Sequence, residues 1–182
     1  EDHFLGDGEH HAAGGEWRVE PPRLRWDILD AVREAAGQMG VPLTDDFNTG
    51  DNEGAGYFHV NQKAGRRWSA ARGFLKPVRG RTNLRLETGV LVDALTIDGK
   101  RANGVTFEQN GQRRIASTQG EVILCAGAIG SVQILQRSGI GAPDTLSQAG
   151  VATRHALPGV GRNLQDHLQQ RAIFSVSGVK TL

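Results

Sequence analysis

The chain has 182 residues, with 21 Lys and Arg against 20 Asp and Glu. A net charge of +1 without a long basic run argues against nucleic acid as a partner. No apolar stretch reaches the ~18 residues of a membrane span, and the single cysteine, Cys125, excludes an internal disulfide framework.

The first forty residues predict one amphipathic helix after a polar arm. Residues 1–15 are polar and rich in glycine, so we expect a loop or an arm. Residues 17–20 alternate as a short strand does, and two prolines end it. Between 23 and 40, apolar residues recur at helical spacing, and Gly40 stands where the helix should end.

The next segment is mostly polar. The loop TDDFNTGDNEGAG (44–56) precedes a predicted strand, YFHVNQ (57–62). After it, Ser69 is placed to cap a short helix, SAARGFLKPV (69–78), with a proline near its end.

The middle of the chain predicts a sheet. One strand is expected at 83–89, and three more follow at 90–97, 102–109 and 112–118. Asp98-Gly99 and Asn110-Gly111 are favoured two-residue hairpin turns, so the last three strands form a meander. EVILCAGA (121–128) is uniformly apolar, which predicts a parallel strand covered on both faces. We expect strands near 84–88 and 121–126 to be parallel neighbours in one sheet.

The last third begins with a glycine-rich turn. A helix is predicted at 129–138 and ends at Gly139, and a second, short helix begins at Pro143. Residues 151–167 form an irregular connector, and 168–178 predict a final strand.

The glycine-rich turn after the apolar strand raises the question of a nucleotide site. Its spacing, Gly127-x-x-Gly130, does not match the G-x-G-x-x-G that places a pyrophosphate at a helix N-terminus. The residues alone leave two readings open, a turn that contacts a ligand and a close packing of helix on strand.

Other chemistry has little support from the spacing of the residues. The loop from Asp46 lacks the Gly and Glu positions of an EF-hand, and no histidines have a zinc-site spacing, so we predict no metal site. Ser131 and Ser138 lack a nucleophile elbow, and Cys125 is interpreted as a small core residue. The residues alone therefore give no support for metal or nucleophilic hydrolase chemistry.

Several stretches resemble the glucose–methanol–choline (GMC) family of FAD-dependent oxidoreductases. GAIGSVQILQRSGIG (127–141) is similar to the second signature of that family, with Val132 in place of its usual Pro or Ser. The supporting stretches lie in the family's order: DDFNTGDNEGAGYFHVNQKAGRRWSAA, RTNLRLETGVLVDALTIDGKRANGV and LPGVGRNLQDH. Within the family, ILQRSGIG and the closing segment look most like the members that act on choline and related alcohols.

The resemblance implies a fold and a division into domains. The fold class is α+β (α/β), with part of an FAD-binding Rossmann-like domain that carries a β-meander and part of an antiparallel substrate-binding sheet. The implied segments are an arm at 1–15, a substrate-domain segment at 16–62, an FAD-domain segment at 63–166, and a return to the substrate domain at 167–182.

The resemblance also implies the cofactor contacts, with FAD as the cofactor. Val92 would offer its backbone N–H and C=O to the adenine edge. Ala126, Gly127 and Ala128 would lie near the cofactor, with no large side chain to hold it off. Asn163 and Asp166 fall in a segment that runs close to the flavin in relatives.

The family's N-terminal G-x-G-x-x-G and its C-terminal catalytic His are not found in this sequence. Since it also begins without Met, we expect the middle segment of a longer enzyme, inactive by itself, that needs the missing N- and C-terminal parts. The implied reaction is hydride transfer from a small primary alcohol, choline or similar, to the flavin. Alternatives are an oxygen-using GMC alcohol oxidase and a non-catalytic α+β binding module. We expect a cytoplasmic location, with peripheral membrane association left open.

Overall fold

The computed structural model describes residues 1–180, which divide into two compact units. The first comprises residues 1–86 and the segment from 172 onward, and the second comprises residues 87–171. Both helices and sheets are present, so the α+β class is confirmed at that level. Among residues 1–180, no helix is long and apolar enough to cross a membrane.

The first unit is built from short elements joined by loops. Strand β1 runs parallel to β2, and β3 pairs antiparallel with β4. A π-helix at Ala71–Leu75 continues directly into α2. The bounds of these elements are Asp2–His3 for β1, Arg18–Val19 for β2, Asp27–Gln38 for α1, Gln62–Lys63 for β3, Arg66–Arg67 for β4 and Lys76–Val78 for α2.

Helix α1 confirms the periodicity seen between residues 23 and 40. It ends where Gly40 adopts a φ of +87°, a left-handed conformation that glycine takes without a Cβ penalty. The apolar face is not buried in this chain, because Val32 is 52% and Met39 is 84% exposed. At the other predicted helix, the backbone carbonyl of Ser69 accepts the N–H of Gly73 (2.9 Å), and no side-chain cap is formed.

The second unit is a three-stranded meander packed against a helix. Strands β5 (Val90–Asp98), β6 (Arg101–Gln109) and β7 (Gln112–Ser117) pair antiparallel in that order. Helix α3 (Gly127–Arg137) packs on β5. The remaining elements are β8 (Ile140–Gly141), α4 (Pro143–Gln148) and β9 (His155–Ala156), with β8 parallel to β9.

The predicted meander is confirmed, with one turn displaced. Asn110 and Gly111 form the second loop with φ of +54° and +72°, as a type I′ turn requires. In the first hairpin, Asp98 pairs with Arg101, so its two-residue loop is Gly99-Lys100 and not Asp98-Gly99. Gly99 has a φ of +56°, and the glycine therefore sets the position of the turn.

The buried side chains of the second unit lie around α3 and α4. Ile134 of α3 is 8% exposed and Leu146 of α4 is 1% exposed. Gly141 lies against Leu146, since a Cβ at Gly141 would be 3.4 Å from a Leu146 methyl group. The last glycine of the signature therefore packs directly on α4.

Two predicted parallel strands are not formed. Residues 84–88 and 121–126 have no strand assignment and no neighbouring strand, so the expected parallel pairing is wrong for this chain. Ile123 is 78% exposed, and Cys125 is exposed and is not the buried core residue that we expected. A strand needs a hydrogen-bonded neighbour, and an apolar sequence alone does not supply one.

Two further predicted strands are also absent. Between 57 and 62, only Val60 forms a bridge, with Glu20, before β3 begins. Residues 168–178 form no strand and are exposed, with Ile173 at 89%. Both segments have strand-like composition, but nothing in the described part of the chain pairs with them along their length.

Candidate functional site

The start of α3 is the most ligand-accessible part of the glycine-rich signature. Ala126 precedes the helix, and its N–H donates to Ser131 Oγ at 3.2 Å, which closes the turn. Gly127 has a φ of +79°, where a residue with a Cβ would be strained. The sequence therefore needs glycine here for the backbone conformation.

The space in front of this turn is open. A Cβ added to Gly127 would meet no atom within 4 Å, and Ala126 and Ala128 are both exposed. The first turn of α3 carries no acidic residue and no side-chain cap. The turn thus offers small side chains and backbone N–H groups to a ligand, and it fits a cofactor that must approach closely.

Val92 lies on β5, opposite Phe107. An irregularity in the ladder follows between Val92 and Ala94. Asp93 between them accepts hydrogen bonds from Arg113 (3.1 Å) and from Arg137 (3.3 Å). Val92 is therefore next to the residue that ties β5 to the C-terminal end of α3.

Ser138 joins α3 to β5 from inside. Its side chain is buried, Oγ accepts the N–H of Leu95 at 2.8 Å, and it donates to the carbonyl of Ile134 at 2.6 Å. Sequence reasoning considered Ser138 only as a nucleophile and missed this contact. Nothing in the sequence indicates which backbone N–H, 43 residues away, would donate to this hydroxyl.

Asn163 and Asp166 lie in the irregular segment after β9. Both are exposed, Asn163 has a φ of +57°, and Asp166 Oδ1 accepts the N–H of His167 at 2.8 Å. The turn before them is held on α3, because a Cβ at Gly161 would lie 3.3 Å from Val132 and 3.0 Å from Gln136. Val132, the position that departs from the family signature, thus contacts the glycine turn.

The predicted cofactor contacts are distributed over α3, β5 and the segment after β9. Ala126–Ala128 lie at the N-terminal end of α3, whereas Asp93, next to Val92, bonds to Arg137 at the C-terminal end of that helix. A cavity of about 400 Å³ in this unit is lined by other residues, among them Leu95, Lys100 and Arg154. Within this chain, the predicted contacts form an extended, open surface.

Comparison with known proteins identifies relatives of the whole segment. Residues 17–169 match the family model described as GMC oxidoreductase. An oxygen-dependent choline dehydrogenase of Chromohalobacter salexigens is 45% identical over 168 residues, which is 91% of this chain and 30% of that protein.

Two solved structures have the same architecture. The crystal structure of pyridoxine 4-oxidase from Mesorbium loti matches with a TM-score of 0.82 and 34% identity, and covers 91% of this chain and 33% of that one. An FAD-dependent oxidoreductase from Chaetomium thermophilum also matches with a TM-score of 0.82, at 29% identity over 88% of this chain and 28% of that one. The chain spans about a third of the length of these proteins.

Proposed function

The chain belongs to the GMC oxidoreductase family, and we propose that it is one segment of an FAD-dependent enzyme that oxidises choline or a similar primary alcohol. The observation that carries this proposal is the 45% identity to a choline dehydrogenase over 91% of the chain. The family match over residues 17–169 includes the signature at 127–141 and the meander, which is where we expect the cofactor contacts.

In this proposal the second unit forms one wall of the FAD site. FAD supplies a flavin ring that accepts hydride from the alcohol. Val92 would hold the adenine edge through its backbone, and Ala126, Gly127 and Ala128 would allow close approach because none carries a large side chain. Asn163 and Asp166, on the segment that Gly161 holds against α3, would line the flavin side.

We also propose the Rossmann-like domain and its limits, with residues 63–166 in the FAD-binding part. Residues 16–62 and 167–182 belong to the substrate-binding part, residues 1–15 form an arm, and positions 181 and 182 lie outside the described residues. The exposed side chains of Leu84, Leu86 and Ile123 support this proposal, since they lie in segments that the sequence predicts as strands but that pair with no strand among the described residues. The remaining two thirds of the enzyme would supply their partner strands.

An alcohol oxidase is the second candidate. It is favoured by the similarity to pyridoxine 4-oxidase, whose name indicates that it is an oxidase. A non-catalytic binding module has less support, because the match to the enzyme family extends over residues 17–169. We keep the cytoplasmic location as a prediction.

The test uses the full-length protein that contains this chain. The purified protein should show a flavin spectrum, and anaerobic addition of choline should bleach it. Oxygen consumption during turnover separates the candidates: a dehydrogenase uses an artificial acceptor faster than oxygen, and an oxidase does not. A purified, folded protein without flavin would refute the proposal, and a flavin that no alcohol reduces would refute the assigned reaction.

A further inference from the structure

Three histidines that are far apart in the sequence meet in the first unit. His3 and His11 come from the N-terminal arm, and their rings stack with centroids 3.7 Å apart and planes 3° from parallel. His59 follows the polar loop and places its Nδ1 3.3 Å from Nε2 of His3. Asp46, at the start of the same loop, places Oδ2 2.5 Å from Nε2 of His11.

The contacts of His11 require the imidazolium form. Nε2 faces the carboxylate of Asp46, and Nδ1 faces Glu1 Oε1 at 3.2 Å. A carboxylate can only accept, so both ring nitrogens of His11 donate and the ring is charged. The side chains of His11 and Asp46 are 10% and 13% exposed, which shields this pair from water.

The contacts of His3 require the neutral form. Its Nδ1 accepts the N–H of Leu5 at 3.3 Å, so the ring proton is on Nε2 and is donated to His59. Phe4 packs edge-on against His59, with ring centroids 4.8 Å apart. A charged His11 thus stacks on a neutral His3, and protonation of His3 would place two cations face to face.

We propose that these residues form a pH-sensitive latch that holds residues 1–12 on residues 44–59. The latch is closed when His11 is charged, His3 is neutral, and the carboxylates of Asp46 and Glu1 are ionised. Asp46 is itself bound to residues 44–59, because its Oδ1 accepts the N–H of Asn48 at 2.9 Å and lies 3.7 Å from Nδ1 of His59. Within the described residues, no group of His, Cys, Asp and Glu is arranged to hold a metal ion.

The electrostatics agree with this assignment. The hydrogen bond to Asp46 raises the pKa of His11 above 6.5, and the bond to Glu1 adds to this. Burial lowers the pKa of His3 below 6.5, and the charge of the stacked His11 adds to this. Burial acts to raise the pKa of Asp46, but the bonds from Asn48 and His11 outweigh it and lower that pKa below 3.8.

The direction of the pH dependence follows from these shifts. The stability that His11 contributes to the closed latch is complete below pH 6.5, and it is lost as the pH rises through the raised pKa of His11. The contribution of neutral His3 is complete above pH 6.5 and is lost as pH falls through its lowered pKa. Asp46 and Glu1 lose their contributions at still lower pH, as the pH falls through the lowered pKa of each carboxyl. The latch is therefore tightest near pH 6.5 and opens on both sides.

The experiment follows the arm of the full-length protein by hydrogen exchange of residues 1–12 from pH 5 to pH 9, corrected for the intrinsic exchange rate. Protection should be greatest near pH 6.5. His11→Gln should remove the loss of protection on the alkaline side, and Asp46→Asn should reduce it, because Glu1 still faces His11. His10→Gln is the matched control, because the neighbouring His10 is exposed, and it should keep the wild-type profile.

A second measurement is made on the wild-type protein, and one variant then checks the assignment. Titration of ¹³C-labelled histidines in the wild-type protein should show one imidazole with a raised pKa and one with a lowered pKa, and Asp46→Asn should return the raised value toward 6.5. The latch is refuted if all six histidines titrate normally, or if His11→Gln and wild type have the same exchange profile. Neither result depends on choline oxidation, so the latch and the proposed function fail separately.

Discussion

Replacement of Ser138 by Ala tests how the signature helix is joined to the meander. The change removes one oxygen atom from a side chain that is 5% exposed. The carbonyl of Ile134 keeps a partner, because it also accepts the backbone N–H of Ser138 at 3.1 Å. The N–H of Leu95 loses its acceptor, Ser138 Oγ, which lies 2.8 Å away.

The expected cost follows from that single unpaired group. An unsatisfied buried backbone donor costs about 1–3 kcal/mol, so we expect a loss of about 2 kcal/mol. This corresponds to an increase of about 30-fold in the equilibrium constant for opening of β5 from α3. The loss of packing is small, since alanine differs from serine by the hydroxyl alone.

Hydrogen exchange in the full-length protein measures this opening directly. In Ser138→Ala, the amides of β5 near Leu95 should exchange faster by that factor, while amides of the first unit should not change. Ser147→Ala on α4 is the control, because that side chain is exposed. If both variants exchange alike at β5, the bond from Leu95 to Ser138 does not hold α3 on β5, and the expected cost of about 2 kcal/mol is refuted.

Two further predictions concern the proposed FAD wall. Gly127→Ala should destabilise the full-length protein by about 1–2 kcal/mol in denaturant unfolding, because the φ of +79° is strained for alanine. Gly159→Ala, where a Cβ meets nothing within 4 Å and no positive φ is needed, should be nearly neutral, and equal effects would contradict the backbone argument. Cys125 is exposed in this chain, so the isolated chain should react with a thiol reagent at the rate of an unhindered thiol. In the native full-length protein it should be protected until denaturant is added, and rapid native labelling would show that residues 121–126 are not covered.

Local sequence signals were sufficient for the elements whose hydrogen bonds are local. Helix α1 and the meander follow from periodicity and from the turn residues Asn110-Gly111, because a helix or hairpin pairs residues that are close in the sequence. In the first hairpin, the sequence predicts a loop at Asp98-Gly99, and the structure has it one residue later, at Gly99-Lys100. The signature at 127–141 was sufficient for the family, which the comparisons confirm.

Contacts between residues that are distant in the sequence could not be predicted from local patterns. An apolar run such as 121–126 indicates a preference for burial, but it does not contain the strand that would cover it, and here it is exposed. The sequence shows a serine at position 138, but it does not show that the hydroxyl accepts the N–H of Leu95, which is 43 residues away.

His3, His11 and His59 show the same division. The sequence determined that each is a titratable ring and that none has a metal-site spacing. Only the tertiary structure decided that His3 and His11 stack, that His11 lies between two carboxylates, and that His59 completes the cluster. The charge of an imidazole depends on what surrounds it, and those surroundings are assembled from segments that are distant along the chain.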